Sequence, residues 1–599
     1  MSSTKSPINK QGQQSIVALA FALFTANFLV YGVGRITFWL WNHRFFENLA
    51  SSDLLLVFLQ GARFDAAIAA IVTFLMFWIF VIFKSKVLRN GWLTALVMGH
   101  AVLILANFVD CELVHFVGRR MTRSSLYLVG EGNITNLMRY FPMTIVTFFS
   151  LGLFIWTHYK IAKYFNPILK TRMQTGLVIF STLLLTAFFV RGGWQEKPLS
   201  FVDSKIIAHP MAHHLILNTP FSVMKSWGQK NIERNHYFNK EKMLSFLNHD
   251  SSLDIQPATT ELGRFKNKNL VIFILESFSA EYIRPQTTPF LYELMSRSDQ
   301  TTTFLPAYAN GRRSIEGIAA ILSGVPALME EPFVNSEFAT NDVVGLGNVF
   351  KKKNYRTQFF HGAKNGSMRF DLYTKAIGFD EYYGLNEFPD PKQNDGAWGI
   401  WDQPFFNWMC TQIPTQDPFA SVVFSLSSHQ PFQVPKDFIA TVPADAAPIL
   451  KTVQYTDQAL KSFFDCAEKQ PWYQQTLFLL VADHTGPELS SAADFKSRYE
   501  IMMLFIDPSK NLKINSKQYA QQIDVLPTLN DLFDLNIQGT NHLGRSLLNP
   551  GRKTIALYSD QKYELVGDTD LSDDRLKAIR QYFSEAMYDN RLYYPAIKE

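Results

Sequence analysis

Cysteine is scarce in this chain, and its scarcity excludes two classes of protein. Only three of the 599 residues are cysteines, and they form no Cys-x-x-Cys pair, which excludes a zinc ribbon and a disulfide-dense scaffold. They are Cys111, Cys410 and Cys466. An oxidising compartment would permit a Cys410–Cys466 disulfide, but we expect two buried free thiols instead.

Charge is also sparse: charged residues make up 18% of the chain, and the net charge is +5. This balance is too mild to indicate nucleic-acid binding, and the basic residues cluster beside apolar stretches. Hydrophobic residues are abundant at 47%, and the excess of Phe lies in the first third. A chain of this length is too long for one core, so we expect at least two folding units.

Five apolar segments approach or reach the roughly 20 residues that a membrane-spanning helix needs. They are Ser15 to about Trp41, Ala66–Phe83, Trp92–Phe108, Met143–Tyr159 and Gly176–Val190. The first is too long for a cleavable signal peptide and lacks a small-residue cleavage site after it. The sequence therefore predicts a five-helix transmembrane domain over residues 1–191.

Lysine and arginine in short loops predict the orientation of these spans, because such residues stay in the cytoplasm. The relevant residues are Lys5, Lys10, Lys84, Lys86, Arg89, Lys160, Lys163, Lys170 and Arg172. All fall on one side if the N-terminus is cytoplasmic, which places everything after Val190 outside. We therefore predict a multi-pass membrane protein with an extracytoplasmic C-terminal domain. Four arginines would then lie in an outer loop, and we interpret residues 111–141 as an amphipathic element on the outer membrane face. They are Arg119, Arg120, Arg123 and Arg139.

Four charged residues lie near the ends of the second and third spans: Arg63, Asp65, Asp110 and Glu112. Charges at membrane depth are costly and usually have partners. The favoured interpretation is an ion-pair cluster that fixes helix packing, and the alternative is contact with a lipid headgroup.

Residues 192–263 are polar and irregular, which predicts a membrane-proximal linker. His209, His213 and His214 have helical spacing there. No carboxylate or third ligand is close in sequence, so we expect a solvated linker helix and not a metal site.

From Asn269 onward, short apolar runs alternate with helical segments, a pattern typical of a parallel sheet buried on both faces. Four runs end in residues able to do chemistry. Glu276 follows 270–275, His361 follows 355–360, His429 comes shortly after 420–426, and Asp483 and His484 follow 477–482. Ligands of an open α/β sheet bind outside the carboxyl ends of its strands. We therefore predict an α/β catalytic domain over residues 264–599 with its site at that edge.

Two carboxylates and an imidazole among these residues, Glu276, Asp483 and His484, suit one divalent ion such as Mn²⁺, Zn²⁺ or Mg²⁺. Ser314 precedes the helical run 318–322, and exposed N–H groups at a helix N-terminus attract a phosphoryl group. Ser314 is therefore either a helix N-cap or a nucleophile activated by the metal. Arginine at the two preceding positions favours an anionic substrate, because guanidinium matches phosphate oxygens.

These segments resemble the lipoteichoic acid synthase family of phosphoglycerol transferases, in the alkaline phosphatase/sulfatase superfamily. The matching pieces occur in the family's order and, with the five spans, cover nearly the whole chain. They are LESFSAEY at 275–282, YANGRRSIEGI at 308–318, FFHGAKNGSM at 359–368, AWGIWDQPF at 397–405, SLSSHQPF at 425–432, ADHTG at 482–486, QIDVLPTL at 522–529 and GRSLL at 544–548.

The resemblance implies the roles of several residues. Glu276, Ser314, Asp483 and His484 would bind one ion, with Mn²⁺ preferred, and Ser314 would also be the nucleophile. His361 and His429 would contact the phosphoglycerol group. The resemblance also implies the bacterial inner membrane, with the C-terminal domain in the periplasm. Arg313 is a further predicted substrate contact because of its charge. Family members generally carry Thr where this chain has Ser314, which keeps the hydroxyl chemistry. They often carry a Trp and an Arg after the first histidine, and Arg369 is the stand-in here.

The resemblance predicts transfer of glycerophosphate from phosphatidylglycerol to a glycolipid, glycan or polymer. The alternatives are a phosphoethanolamine transferase acting on lipid A or a glycan, a lipid phosphodiesterase that uses water, and an inactive protein that binds lipid or polymer. Phosphoethanolamine transferases usually carry several disulfides, and this chain has at most one. Sulfatases need Cys or Ser followed by x-Pro-x-Arg, which residues 314–318 lack.

Overall fold

The computed structural model describes residues 16–593 with short gaps. The gaps are residues 118, 124–140, 166–171, 208, 210, 230–231, 248–258, 416–417, 490–493, 511, 540, 550–553 and 568–571. Lys5, Lys10, Arg139 and Lys170, and most of the predicted amphipathic element, therefore lie outside the described residues. The chain divides into two compact units, Met1–Gln229 and Lys230–Glu599, and each is described by itself. The predicted linker is thus divided between them at residue 229.

Five helices in the described part of the chain are long and apolar enough to cross a membrane, which confirms the predicted five spans. They are α1 (Ile16–Trp41), α2 (Ser51–Ile82), α3 (Lys86–Val117), α4 (Phe141–Tyr164) and α5 (Arg172–Arg191). Helix α2 begins well before the predicted start at Ala66, because its first turns carry polar residues that hydropathy rejects. Arg63 is one of them, and its guanidinium donates to the Gly192 carbonyl and to the Gln60 side chain at 2.8 and 2.6 Å.

Two short helices, α6 (Ala212–Ile216) and α7 (Thr219–Trp227), complete the first unit. They pack on α2 and α3, so this segment is not the polar linker that the sequence predicted. His213 and His214 are buried, which corrects the expected solvated helix. Burial lowers the pKa of His213 well below its usual range, and the ring is therefore neutral at neutral pH.

Two buried ion pairs link the elements of this unit. Arg35 of α1 and Asp65 of α2 form a two-pronged pair at 3.0 and 2.6 Å, and the Asn218 amide donates to the same carboxylate at 2.8 Å. Arg120 donates to Asp110 of α3 at 3.2 Å. The favoured interpretation of a cluster that fixes helix packing is therefore confirmed for both carboxylates.

The arginines at the end of α3 depart from the prediction. Arg119 and Arg120 are buried, and the Arg120 guanidinium lies 3.7 Å from the centre of the Phe38 ring. It also donates to the carbonyls of His214 and Leu217. These two arginines are thus internal, and the predicted outer-face amphipathic element is wrong for them. Hydropathy did not indicate this, because the carbonyls that accept from Arg120 lie more than 90 residues away in sequence.

The second unit contains nine strands among its described residues. They are β1 (Asn269–Leu275), β2 (Thr301–Tyr308), β3 (Arg356–His361), β4 (Glu381–Tyr383), β5 (Phe419–Phe424), β6 (Thr476–Ala482), β7 (Glu500–Ile506), β8 (Thr554–Ser559) and β9 (Lys562–Gly567). Seven form one sheet in the order β2-β7-β6-β1-β5-β3-β4, and β8 and β9 form a hairpin. The four predicted strands, β1, β3, β5 and β6, are parallel and buried almost throughout.

The sheet is mixed, because β7 pairs antiparallel with both β6 and β2. The α-helices of the second unit, among its described residues, are α8 (Lys240–Leu247), α9 (Pro289–Ser296), α10 (Ser314–Ser323), α11 (Leu346–Lys351), α12 (Phe370–Ala376), α13 (Asp402–Gln412), α14 (Pro448–Ala467), α15 (Val525–Phe533) and α16 (Ser572–Tyr588). The predicted architecture, five apolar N-terminal helices and an α/β domain, is confirmed.

Helices α13 and α14 pack together and are joined by a disulfide, which corrects the expectation of two free thiols. Cys410 and Cys466 are bonded, with Cα atoms 6.6 Å apart. That separation lies within the range a disulfide spans. The sequence could not reveal it, because the two cysteines are 56 residues apart. Cys111 is free and buried.

Candidate metal centre and active site

The site forms where the central parallel strands end. Strands β1 and β6 are neighbours in register, with Leu275 paired to Ala482. The residues that follow them, Glu276 and Asp483, therefore emerge side by side. Both carboxylates are buried, which is costly for a charge without a partner.

His484 brings an imidazole to the two carboxylates. Its Nε2 lies 3.5 Å from Glu276 Oε1 and 3.4 Å from Asp483 Oδ2. One ligand atom from each of the three residues falls within 4.8 Å of the other two. The predicted metal-binding residues thus converge on one point.

The hydrogen bonds of His484 define which ring nitrogen faces the site. Nδ1 lies 2.8 Å from the Thr485 carbonyl oxygen, an acceptor, so Nδ1 carries a proton. Nε2 then faces two carboxylates and the Ser314 hydroxyl, which lies 3.2 Å away. Only a proton or a cation between these electron-rich atoms makes the arrangement favourable. A backbone carbonyl that orients a histidine in this way is typical of metal ligands.

Asp483 provides the most direct test of whether a metal fits. Its Oδ1 accepts hydrogen bonds from the backbone N–H groups of Ser277 and His484 at 2.8 and 2.6 Å. Its Oδ2 is buried and accepts no hydrogen bond from any described residue. A buried carboxylate oxygen without a donor needs another source of positive charge. A divalent ion held by Glu276, Asp483 and His484 fits this requirement.

The electrostatics of the three residues agree with that fit. Burial, together with the neighbouring charge of Glu276, raises the pKa of Asp483 well above its usual range. Burial lowers the pKa of His484, but the charges of Asp483 and Glu276 outweigh it and the pKa is raised. The nearby negative charges raise both pKa values, so each group holds its proton more tightly. A bound cation would neutralise the same negative charge.

Ser314 lies next to this group at the start of α10. Its hydroxyl donates to Glu276 Oε2 at 2.9 Å. The N-cap of α10 is Arg313, so Ser314 is the first helical residue and does not cap the helix. The N-cap alternative for Ser314 is therefore wrong, and its hydroxyl instead lies against Glu276 and His484.

A glycine allows α10 to approach the site so closely. A Cβ atom at Gly317 would overlap the backbone carbonyl of Asp483. Only glycine leaves room for that carbonyl. The helix N-terminus, with its outward N–H groups, is thereby held beside the carboxylates, where it favours an anionic ligand.

His361 ends β3 and is fully buried. Its Nδ1 lies 3.0 Å from the Tyr382 hydroxyl, and its Nε2 makes no hydrogen bond to any described residue. Burial lowers the pKa of His361 to about 3, although the charge of Glu276 opposes that shift. His361 is therefore neutral at neutral pH and is able to hold a ligand oxygen through Nε2.

His429 follows β5 and is partly exposed. Its ring packs on the Trp398 indole with centroids 4.0 Å apart, and its Nδ1 lies 3.0 Å from the Gln430 carbonyl oxygen. Nδ1 therefore carries a proton, and Nε2 is left for a ligand.

The two predicted arginine contacts are placed differently from each other. Arg313 bonds through Nε to Glu316 Oε1 at 2.9 Å and through Nη2 to the Glu330 carbonyl, with half of its side chain exposed. Arg369 is buried in a left-handed conformation, with φ of 63°. A contact of either arginine with substrate stays a prediction.

Three residues that were not predicted from the sequence hold the ligands in place. Ser277 has a φ of 60° and donates its hydroxyl to Glu276 Oε1 at 2.6 Å. Ser428 donates to the Glu276 carbonyl, and Gln522 donates to the Asp483 carbonyl, each at 2.6 Å. Ser277 and Ser428 lie inside the quoted motifs, so their proximity to the ligands was the available signal. Gln522 also lies in a quoted motif, but nothing in the sequence indicated that it contacts Asp483.

The chain is similar to known families and proteins. The Sulfatase family model matches residues 268–535. A protein of Bacillus subtilis named lipoteichoic acid synthase-like YvgJ is 20% identical over 390 residues, covering 59% of this chain and 62% of that protein. The lipoteichoic acid synthase of Staphylococcus aureus is 24% identical over 369 residues, 56% of each chain. The chain thus spans about three fifths of the length of these curated relatives.

A solved structure shows the fold. A protein of the alkaline phosphatase superfamily from Vibrio parahaemolyticus superposes with a TM-score of 0.50 at 24% identity, covering 60% of this chain and 98% of that one. Residues 268–535 therefore match the Sulfatase family, and the solved structure shows the same fold. The chain is similar in sequence to proteins named lipoteichoic acid synthase or lipoteichoic acid synthase-like, which confirms the resemblance seen in its motifs.

Proposed function

We propose that the chain is a membrane-bound, metal-dependent phosphoglycerol transferase. It moves the glycerophosphate headgroup of phosphatidylglycerol to a hydroxyl of a glycolipid, glycan or polymer, through a covalent intermediate on Ser314. The observation that carries the proposal is the Ser314 hydroxyl, hydrogen-bonded to Glu276 and 3.2 Å from His484 at the start of α10. The names of the relatives support the reaction class.

In the first step, the Ser314 oxygen attacks the phosphorus of the donor lipid. Its proton passes to Glu276, which already accepts a hydrogen bond from it. The bond from phosphorus to the diacylglycerol oxygen breaks, and that oxygen takes the Nε2 proton of His429, which enters this step as the imidazolium. The products are diacylglycerol and a glycerophosphoryl ester of Ser314.

In the second step, the acceptor hydroxyl attacks the same phosphorus. Its proton returns to His429, the Ser314–phosphorus bond breaks, and Glu276 gives the proton back to Ser314. Both steps have balanced protons, and the chain ends as it began. This order of events is a ping-pong mechanism.

Glu276, Asp483 and His484 would hold the metal, with Ser314 beside them. A divalent ion at this position would lower the pKa of a neighbouring hydroxyl and offset negative charge on a phosphoryl group. The donors are mainly oxygen with a single imidazole, which favours Mn²⁺ over Zn²⁺, with Mg²⁺ as a further candidate.

The remaining residues would bind the phosphoglycerol group. Neutral His361 would donate from Nε2 to a phosphoryl or glycerol oxygen while Tyr382 orients its ring. Arg369 and Arg313 would contribute positive charge to the anionic donor. The N-terminal N–H groups of α10 add to the same field.

The catalytic domain would lie on the outer side of the bacterial inner membrane. The distribution of lysine and arginine in the short loops supports this orientation. The Cys410–Cys466 disulfide also supports it, because disulfides persist outside the cytoplasm.

Mass spectrometry of the Ser314 peptide tests the proposal. The full chain in detergent would be mixed with Mn²⁺ and either phosphatidylglycerol or phosphatidylethanolamine, then quenched with acid. A glycerophosphoryl adduct on Ser314 from phosphatidylglycerol is expected, and the Ser314→Ala variant serves as the control. An adduct only from phosphatidylethanolamine would favour the alternative transferase, and hydrolysis without any adduct would refute the covalent mechanism.

A further inference from the structure

A cavity in the second unit is lined by residues outside the metal centre. It has a volume of about 740 Å³, which is within the range of small-ligand sites. Three segments line it: residues 393–407, residues 433–438, and the middle of α14, through Tyr455 and Gln458. The mechanism above uses none of its lining residues. We call it the amide cleft, after the side chains described next.

One wall of the amide cleft is aromatic. Trp401, Phe438 and Tyr455 line it, and Tyr455 lies between the other two with ring centroids 5.8 Å from Trp401 and 5.2 Å from Phe438. Tyr455 is buried, whereas Trp401 and Phe438 are partly exposed. Aromatic rings offer large, rigid contact area with a polar edge, which suits a ligand that has both apolar and hydroxyl-bearing faces.

The other walls carry side-chain amides. Six of the lining residues are amides: Gln393, Asn394, Gln403, Asn407, Gln433 and Gln458. Among the described residues, no hydrogen-bond partner occurs for the side chains of Gln403, Gln433 and Gln458. Each amide both donates and accepts, so it matches a hydroxyl group in either role.

The charges in the amide cleft do not indicate an anionic ligand. Asp395 and Asp437 line it, with Lys436 as its only lining cation among the described residues. Asp395 already accepts hydrogen bonds from backbone N–H groups, including those of Ala397 and Gly399 at 2.8 and 3.0 Å. Two carboxylates against one lysine disfavour a phosphate group. The wall is also too polar for an acyl chain.

The amide cleft is connected to the proposed active site through two segments. The loop that contributes Asp395 also carries Trp398, which packs on His429. The Trp398 indole donates to the Gln430 carbonyl, three residues before Gln433. Helix α13 is fixed to the end of β5 by Asp402, which accepts from the backbone N–H groups of Leu426 and Ser427 at 2.7 and 3.2 Å. A ligand in the amide cleft is thus held on segments that contact His429 and its neighbours.

We propose that the amide cleft binds neutral sugar residues of a glycan acceptor. Sugar rings have apolar C–H faces that stack on aromatic side chains and hydroxyl rims that pair with amides. An acceptor bound there would present a hydroxyl to the residue that takes its proton, His429. This inference rests on the proposed function and specifies it, because it selects a carbohydrate among the acceptor classes.

The test is a binding titration that needs no catalysis. The full chain is placed in lipid nanodiscs without phosphatidylglycerol, since sugar-based detergents would compete. Three neutral oligosaccharides of different linkage, maltohexaose, cellohexaose and laminarihexaose, are titrated by calorimetry, with a short polyglycerol phosphate as the charged comparison. At least one oligosaccharide is expected to bind, and the Gln433→Ala/Gln458→Ala double variant is expected to weaken its binding by about tenfold.

Two further variants make the outcome decisive. Gln474→Ala removes an exposed glutamine outside the amide cleft and should leave the dissociation constant unchanged. Trp401→Leu tests the aromatic wall, and a thermal melt shows whether it folds. Absence of oligosaccharide binding, equal affinity in the double variant and in Gln474→Ala, or preferential binding of polyglycerol phosphate that the double variant abolishes would each overturn the proposal.

Diacylglycerol release from phosphatidylglycerol by the unmodified chain is measured separately. Its failure would contradict the proposed function but not the sugar-binding result. Sugar binding without diacylglycerol release would therefore support the amide cleft as a sugar site and contradict phosphatidylglycerol as the donor.

Discussion

The hydroxyl of Ser314 faces Glu276 and His484 and takes no part in capping α10, whose N-cap is Arg313. Replacing Ser314 therefore removes chemistry with little structural cost. We expect Ser314→Ala to change the free energy of unfolding by less than the ~1 kcal/mol typical of a lost N-cap. We expect it to lower diacylglycerol release by roughly 10³-fold or more, whereas Ser314→Thr keeps substantial activity.

Thermal melts and turnover of a fluorescent phosphatidylglycerol measure both quantities on the same samples. Ser336→Ala is the matched control, because Ser336 is a buried serine whose side chain does cap a helical turn, accepting from Phe338 N–H at 3.1 Å. It should lose about 1 kcal/mol of stability and keep its activity. An active Ser314→Ala would end the covalent mechanism.

Asp483 leads to a prediction about metal content. Its Oδ2 lacks a donor among the described residues, so replacing that oxygen by an N–H₂ group should repel a cation. We expect purified protein to carry about one Mn²⁺ per chain and Asp483→Asn to lose most of it, as measured by elemental analysis. Added Mn²⁺ at ~100 times its dissociation constant should stabilise the wild type by about 2.7 kcal/mol and the variant by much less.

Asp402→Asn is the control for this experiment, because Asp402 is a buried carboxylate outside the metal group. It should keep its metal even if its stability falls. Full occupancy in Asp483→Asn would show that the carboxylate is not a ligand.

The candidate metal ligands could be predicted from the sequence, but the residues that hold them in position could not. Glu276, Asp483 and His484 follow apolar runs, and parallel strands bring such positions together. The left-handed conformation of Ser277 and the reach of Gln522 to the Asp483 carbonyl depend on backbone geometry and on a distant segment. No local pattern encodes either one. The conformation and packing of a side chain are decided by tertiary contacts.

At the scale of elements, the disulfide between α13 and α14 closes a loop of 56 residues. Closing a loop of that size restricts the unfolded chain and stabilises the fold by about 2–4 kcal/mol. We expect Cys410→Ser/Cys466→Ser to lower the melting temperature of the catalytic domain and to keep the metal. Differential scanning calorimetry measures the change.

A reductant supplies the control for the disulfide. It should shift the melt of the wild type toward that of the double variant and leave the double variant unchanged. Equal melts for oxidised and reduced wild type would show that the bond adds no stability.

Elements were predicted best where one signal decided them. The buried runs of β1, β3, β5 and β6 identified four parallel strands, and length with hydropathy identified five spans. The antiparallel direction of β7 was not predicted, because composition does not encode strand direction. The burial of His213 and His214 was not predicted either, since a polar segment was expected to be solvated.

For the whole molecule, the distribution of positive residues predicts which regions face the cytoplasm. We expect Ile439→Cys to react with a membrane-impermeant maleimide in intact cells, because the Ile439 side chain is 86% exposed in the second unit. Lys86→Cys, at the start of α3, should react only after permeabilisation. The native cysteines give little background, because Cys111 is buried and the other two are bonded. Labelling at residue 86 without permeabilisation would reverse the proposed orientation.

The pairing of Arg35 with Asp65 has a consequence for how the protein is made. Each charge lies within a helix that would be inserted into the bilayer separately, and each costs on the order of 2.5–3.5 kcal/mol at the centre of a lone helix. The cost falls once α1 and α2 lie side by side. The two helices therefore gain from leaving the insertion machinery as a hairpin, and α1 alone would be held at the translocon, or returned for degradation, until its partner has been synthesised.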